Sequence, residues 1–176
     1  NARQGFWNGG HAPYGYRTVE AERRGDTIKK HLEIDPAEAE IVQMMFRFCL
    51  HGDGNGAMGI KGIVSALNGK GLTYRRGRPF RTNEVHRILR RSTCMGIHYY
   101  NRRIAKTDKL RDPSEWIAME VLHIIEPNEF EAVQQHLQSR RPAVRAARLS
   151  NGSMLLTQIA TCPHCGSGMS LRTGKS

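Results

Sequence analysis

The sequence carries no second Cys-x-x-Cys pair to match its one at Cys162 and Cys165, no apolar run approaching the roughly 18 residues of a membrane helix, no signal-peptide pattern and no lipidation site. It is also short of acids. The missing apolar run removes the membrane as the reason for a basic composition. Four cysteines in 176 residues, without regular pairing, exclude a disulfide scaffold and fit a reducing, cytoplasmic setting. The shortage of acids leaves 27 Lys+Arg against 16 Asp+Glu, a net charge of +11, and a pI near 10.0. Such a balance favours a polyanionic partner, with nucleic acid first among the candidates. With 39% hydrophobic residues, the chain can bury one ordinary core and a small satellite, which excludes a disordered tail.

Cys49 and Cys94 each stand alone inside apolar stretches and read as buried thiols acting as small hydrophobes. Cys162-Pro163-His164-Cys165-Gly166 is different: a tight turn aims two sulfurs at one point, which is half of a tetrahedral zinc site. A disulfide between the two is the competing reading. His86, His98 and His164 are not taken as ligands, since His164 between the two thiols points away from a metal they would hold.

Along the chain, Asn1 to Ala12 reads as an extended arm rich in Asn and Gly, with Arg3, Phe6 and Trp7. Pro13 to Arg17 opens a strand and Ile28 to Ile34 forms a second, joined across Arg23-Arg24-Gly25-Asp26 as a hairpin. The aromatics around Gly15 read as a packed hairpin start, with a base-stacking platform as the alternative. Asp35-Pro36 starts a helix, with Asp as cap, Pro at the first helical position, and Glu38 and Glu40 at the positive end of the dipole. Its apolar face is Ile41, Met45, Phe48 and Cys49. A second helix runs from Ile60 to Asn68 and stops at Gly69. A third, capped by Thr82 or Asn83, turns Val85, Ile88 and Leu89 inward. The long basic connector between them gives a helix-turn-helix-like pair with room for a small strand or wing. Gly96 to Asn101 and Glu115 to Val121 read as strands, and Pro127 begins a last helix with Phe130, Val133 and Leu137 on its face. Leu155 to Thr161 reads as a strand leading into the cysteine turn. The fold class expected is α+β: a mainly helical domain with helix-turn-helix-like helices and short β-hairpins, then a partial zinc ribbon.

From Arg75 to Arg91 there are seven arginines (75, 76, 78, 81, 87, 90 and 91) and one acid, Glu84. A charge run is usually a solvated face; here the near absence of acids leaves the positive field unneutralised. With Val85, Ile88 and Leu89 inward, Asn83, Arg87, Arg90 and Arg91 fall on outward faces, where arginine can pair with guanine edges or phosphates and asparagine with adenine.

Gly9-Gly10-His11-Ala12-Pro13-Tyr14-Gly15-Tyr16-Arg17, then Asp35-Pro36 with Glu40-Ile41-Val42 and Phe46, then Gly59-Ile60, Ile63 and Leu67-Asn68, together resemble the recombinase domain of large serine recombinases. Arg76-Gly77, Val85, Ile88-Leu89-Arg90 and Met95-Gly96 with Tyr99 resemble its later blocks, and Cys162-Pro163-His164-Cys165-Gly166 with Met169 resembles the opening of its zinc ribbon. Each block is weak alone; their order and spacing are specific. The resemblance implies an enzyme that synapses two DNA sites, cuts through a serine nucleophile, rotates half-sites and religates, as a dimer on each site and a tetramer in synapsis. No serine lies in Asn1 to Ala12, and Ser65, Ser92, Ser114, Ser139, Ser150 and Ser153 fall within or after the DNA-binding blocks, so none is assigned catalysis.

The expected organisation is an arm over 1–12 leading from a catalytic domain the chain does not contain, a recombinase DNA-binding domain over 13–141, a linker over 142–152, and an incomplete zinc ribbon over 153–176. By the resemblance, Arg3 and Asn8 contact the minor groove, with Gly9 and Gly10 allowing close approach. Arg75, Arg76, Arg78, Arg81, Asn83, Arg87, Arg90 and Arg91 face backbone and major groove, most of them on phosphates. Cys162 and Cys165 hold half of a zinc site whose two further ligands lie downstream. Two other readings stay open: a basic RNA-binding or ribosome-associated zinc protein, and a redox or rubredoxin-like iron module, which needs a second cysteine pair.

Overall fold

Tyr16–Arg24 (β1) and Thr27–Ile34 (β2) form an antiparallel hairpin in the register Tyr16↔Ile34, with a bulge between Glu20 and Glu22. The computed structural model describes all residues except 1–3, 9, 26, 55, 105, 106, 108, 141–160, 165 and 167–176. It falls into two units, Asn1–Leu137 and Gln138–Ser176. The described architecture belongs almost entirely to the first.

The hairpin leads into Pro36–Leu50 (α1), and the start of this helix follows from its sequence: Asp35 Oδ1 accepts from the Glu38 backbone N–H at 3.1 Å, and Pro36 occupies the first turn. Val42, Met45, Phe46 and Cys49 on its inner face are fully buried, each contributing on the order of 1.5–3 kcal/mol in removed apolar surface. Beyond His51 the chain doubles back, with the Met58 N–H donating to the Phe48 carbonyl at 3.0 Å. Ile60–Gly69 (α2) then packs Ile63 and Leu67 into the same core.

The connector from α2 holds a 3₁₀ turn at Arg75–Gly77, bracketed by a bridge between Tyr74 and Arg78. This is the small wing the sequence left room for. Asn68 ties the connector down: its side-chain NH₂ donates to the Phe80 carbonyl (3.0 Å) and its oxygen accepts from the Phe80 N–H (2.9 Å). Thr82–Leu89 (α3) buries Val85, Ile88 and Leu89. Its cap is Arg81, not Thr82 or Asn83. Glu84 explains the shift, since its carboxylate reaches back to accept from the Arg81 N–H at 3.0 Å and supplies the carboxylate half of a capping box.

A 3₁₀ turn at Ser92–Met95 leads to Ile97–Tyr100 (β3), which pairs antiparallel with Ile117–Glu120 (β4) in the register Ile97↔Glu120. The N–H groups of Ile124 and Ile125 both donate to the Cys94 carbonyl, at 2.9 and 3.0 Å, drawing the segment after β4 onto the core. Pro127–Ser139 (α4) closes the structure, with Phe130 stacked on Phe46 at 6.0 Å and the Gln134 amide donating to the Leu89 carbonyl at 2.7 Å. Cys49 and Cys94 are buried free thiols, as their apolar surroundings require. Burial pushes the Cys94 thiol up to about 11. Among the described residues, no helix is long and apolar enough to cross a membrane.

Candidate nucleic-acid interface

Arg75 organises the centre of the basic stretch, and it does so from within. Its Nε and Nη2 donate to the two Glu38 carboxylate oxygens at 2.5 and 2.6 Å. Nη1 donates to the Ala12 carbonyl at 2.7 Å, and Nη2 also reaches the Pro13 and Tyr16 carbonyls at 3.1 Å each. The guanidinium lies over the Tyr14 ring, 5.6 Å from its centroid. A planar fork with these partners has little left for a phosphate, so Arg75 is corrected from DNA contact to framework. It locks the end of the arm, the start of β1 and the first turn of α1 together. Glu38, read from sequence only as a dipole partner, is the anchor of this arrangement; it also accepts from the Gly15 N–H at 2.9 Å.

Tyr14 and Tyr16 belong to the core. Tyr14 stacks on Tyr74 (5.0 Å) and meets Phe80 edge-on (5.8 Å). The Tyr16 hydroxyl donates to the Thr93 carbonyl at 2.6 Å and shares its proton with the Leu122 carbonyl at 2.8 Å. Burial raises the pKa of both phenols well above the usual value, keeping them neutral. Neither can serve as a base-stacking platform.

The remaining arginines divide by position. Arg76 sits exposed at the apex of the wing in a left-handed conformation, φ 61°. Arg78 is exposed over the Tyr74 ring at 5.5 Å, with Glu84 3.7 Å away. Arg81, Asn83, Arg87 and Arg90 are exposed along and beside α3, while Arg91 is half-buried just past its end. Glu84, the one acid of this stretch, is occupied as a cap.

A cleft of about 530 Å³ is lined by Trp7 and His11 of the arm, Arg87 of α3, Arg91 just past it and His98 of β3. Arg75, Arg76 and Arg78 complete its basic lining; among the described residues no acid contributes to it. The sequence did not point to Trp7, His11, Tyr74 or His98 as parts of such a site, because arm and connector come together only in the fold. Trp7 docks the arm: its N–H donates to the Lys30 carbonyl at 2.6 Å, and its indole packs against His98 at 4.8 Å. Asn8 is exposed, and Arg3 lies outside the described residues. His98 Nδ1 is 3.0 Å from the Thr93 hydroxyl. Burial, followed by the nearby Arg91 and Arg102, lowers the His98 pKa, and burial lowers that of Arg91.

A family model described as Recombinase matches residues 36–140. The chain belongs to the recombinase family. The match takes in α1 to α4, the wing and all seven arginines of the basic stretch, while the docked arm and the β1–β2 hairpin precede it. No curated protein matches the chain. Among solved structures, this recombinase-family chain is similar to a crystal structure of an LSR–DNA complex, at 17% identity over 71% of this chain and 30% of that one, with a TM-score of 0.46. It is also similar to a structure concerned with the sequence requirements of the Listeria innocua prophage attP site, at 17% identity over 88% of this chain and 53% of that one, with a TM-score of 0.46. The chain thus spans 30% and 53% of the lengths of these two relatives.

Proposed function

We propose that this chain is the duplex-DNA-binding part of a large serine recombinase and holds that enzyme on its attachment sites. The observation that carries the reading is the arginine-rich face of the wing and α3, beside a cleft that no acid among the described residues lines, in a chain of the recombinase family. Arg76, Arg78, Arg81 and Arg87 are suited to backbone phosphates, and the exposed side of α3, with Asn83 and Arg90, is suited to a major groove. The arm, with Asn8 exposed, follows a neighbouring minor groove. Strand cleavage and rejoining are assigned to a catalytic serine domain of the parent enzyme, and no residue of this chain to that step. Dimers on each site and a synaptic tetramer are part of the same proposal.

Zinc at Cys162 and Cys165 is a further part of it. The Gly166 N–H donates to the Cys162 carbonyl at 2.8 Å, and Gly166 has φ 70°. This tight turn suits two sulfurs facing one ion. Cys165 lies outside the described residues, and among the described residues no group of three or more His, Cys, Asp or Glu could hold a metal. Two thiolates make half a tetrahedral shell, so the proposal requires two further ligands from the parent enzyme.

A gel-shift comparison of attachment-site duplex, unrelated duplex and structured RNA tests the function. The reading expects preference for the attachment duplex; RNA bound as tightly as duplex would favour the RNA-binding alternative.

A further inference from the structure

Five arginines line the cleft, and two of them have internal partners. Arg75 is held by Glu38 and three backbone carbonyls, and Arg78 lies near Glu84. Arg76, Arg87 and Arg91 have no ion pair among the described residues. Arg91 is the most enclosed of the three, half-buried where the other two are exposed. A guanidinium withdrawn from water without a carboxylate is costly, and the fold supplies no internal anion to offset it. The other walls are Trp7, His11 and His98, with burial and the neighbouring arginines holding His98 towards its neutral form. The cleft therefore presents unneutralised guanidinium forks in a concavity of about 530 Å³, within the size range of ligand sites. Such forks match the oxygens of a phosphate.

We propose that this cleft is a discrete anion pocket that seats one phosphodiester group of the bound strand, with Arg91 as its inner contact and Arg87 and Arg76 closing on it from the rim. The inference rests on the duplex-DNA reading for the source of the phosphodiester, yet the pocket itself exists without DNA. It gives the docking of Trp7 a purpose: Trp7, Ala12 and Pro13 are all part of the lining, so docking completes the pocket. Lys61, exposed on α2, does not line it.

The test is thermal unfolding of the chain titrated with inorganic phosphate, with dimethyl phosphate as the diester arm, each against sodium chloride at equal ionic strength. Both phosphate probes are expected to raise the Tm of the parent chain and of Lys61→Gln by several degrees beyond chloride. Arg91→Gln and Arg87→Gln are expected to lose that excess. Arg87 is exposed and leaves the core untouched, so Arg87→Gln serves if Arg91→Gln fails to fold. Equal responses to phosphate and chloride, an undiminished phosphate response in Arg87→Gln, or a loss in Lys61→Gln as large as in Arg87→Gln, would overturn the pocket. A phosphate response from inorganic phosphate alone would mark a site for free anions and overturn the diester assignment. On duplex DNA, Arg87→Gln should flatten the plot of log affinity against log salt by about one unit, the signature of one lost phosphate contact. If the anion response holds while duplex binding is absent, the pocket stands and the DNA reading falls.

Discussion

Arg75 and Arg76 are neighbours with opposite duties, and this separation is testable. The Arg75 side chain is 32% exposed and its partner Glu38 17% exposed; removing the guanidinium leaves a partly buried carboxylate and three carbonyls without their donor. Arg75→Met is expected to cost about 2–3 kcal/mol in denaturant unfolding, and Glu38→Gln should add little on top of it, because both remove one interaction. Arg76 instead occupies a left-handed position where an L-residue is disfavoured. Arg76→Gly should therefore change stability by less than about 1 kcal/mol while weakening DNA binding. The Tyr16 hydroxyl gives a third case: Tyr16→Phe removes its bonds to the Thr93 and Leu122 carbonyls, the first of which keeps the Gly96 N–H as donor, for an expected loss of about 1 kcal/mol by the same measurement. His98 gives a pH dependence. Its pKa is lowered from the ordinary 6.5, so below that value the unfolded chain takes up a proton that the folded chain resists. This contribution is fully present above pH 6.5 and declines as pH falls towards the folded value. In His98→Gln the drop in Tm between pH 7.5 and pH 5 should be smaller than in the parent chain.

The elements were largely legible because their signals are local. Asp35-Pro36 starts α1, the inward triad of α3 fixes its face, and both hairpins lie where alternating aromatic and β-branched residues flank turns. The α3 cap was misplaced by one or two residues, since Glu84 caps from three positions downstream and makes Arg81 serve where Thr82 looked the better cap. The candidate site was legible only in part. The density of arginine showed where positive charge gathers, but nothing local in Arg75 distinguishes it from Arg76, because its partner is 37 positions away on α1. The cleft itself combines Trp7 from the arm, Arg76 from the wing, Arg87 from α3 and His98 from β3. No window along the sequence contains all four.

For the whole molecule, a net charge of +11 favours a polyanion, and seven of the 27 Lys+Arg lie between Arg75 and Arg91, where Arg76, Arg78, Arg81, Arg87 and Arg90 are exposed. If the exposed and half-exposed arginines of the wing and α3 mostly hold phosphates, association with duplex DNA must release counterions in proportion. Fluorescence anisotropy of a labelled attachment-site duplex, measured between about 50 and 200 mM salt, tests this most directly. A slope of log affinity against log salt between about −3 and −5 is the expected result, with structured RNA bound more weakly throughout. An affinity for duplex that does not change with salt, or RNA bound as tightly as the attachment duplex, would contradict it.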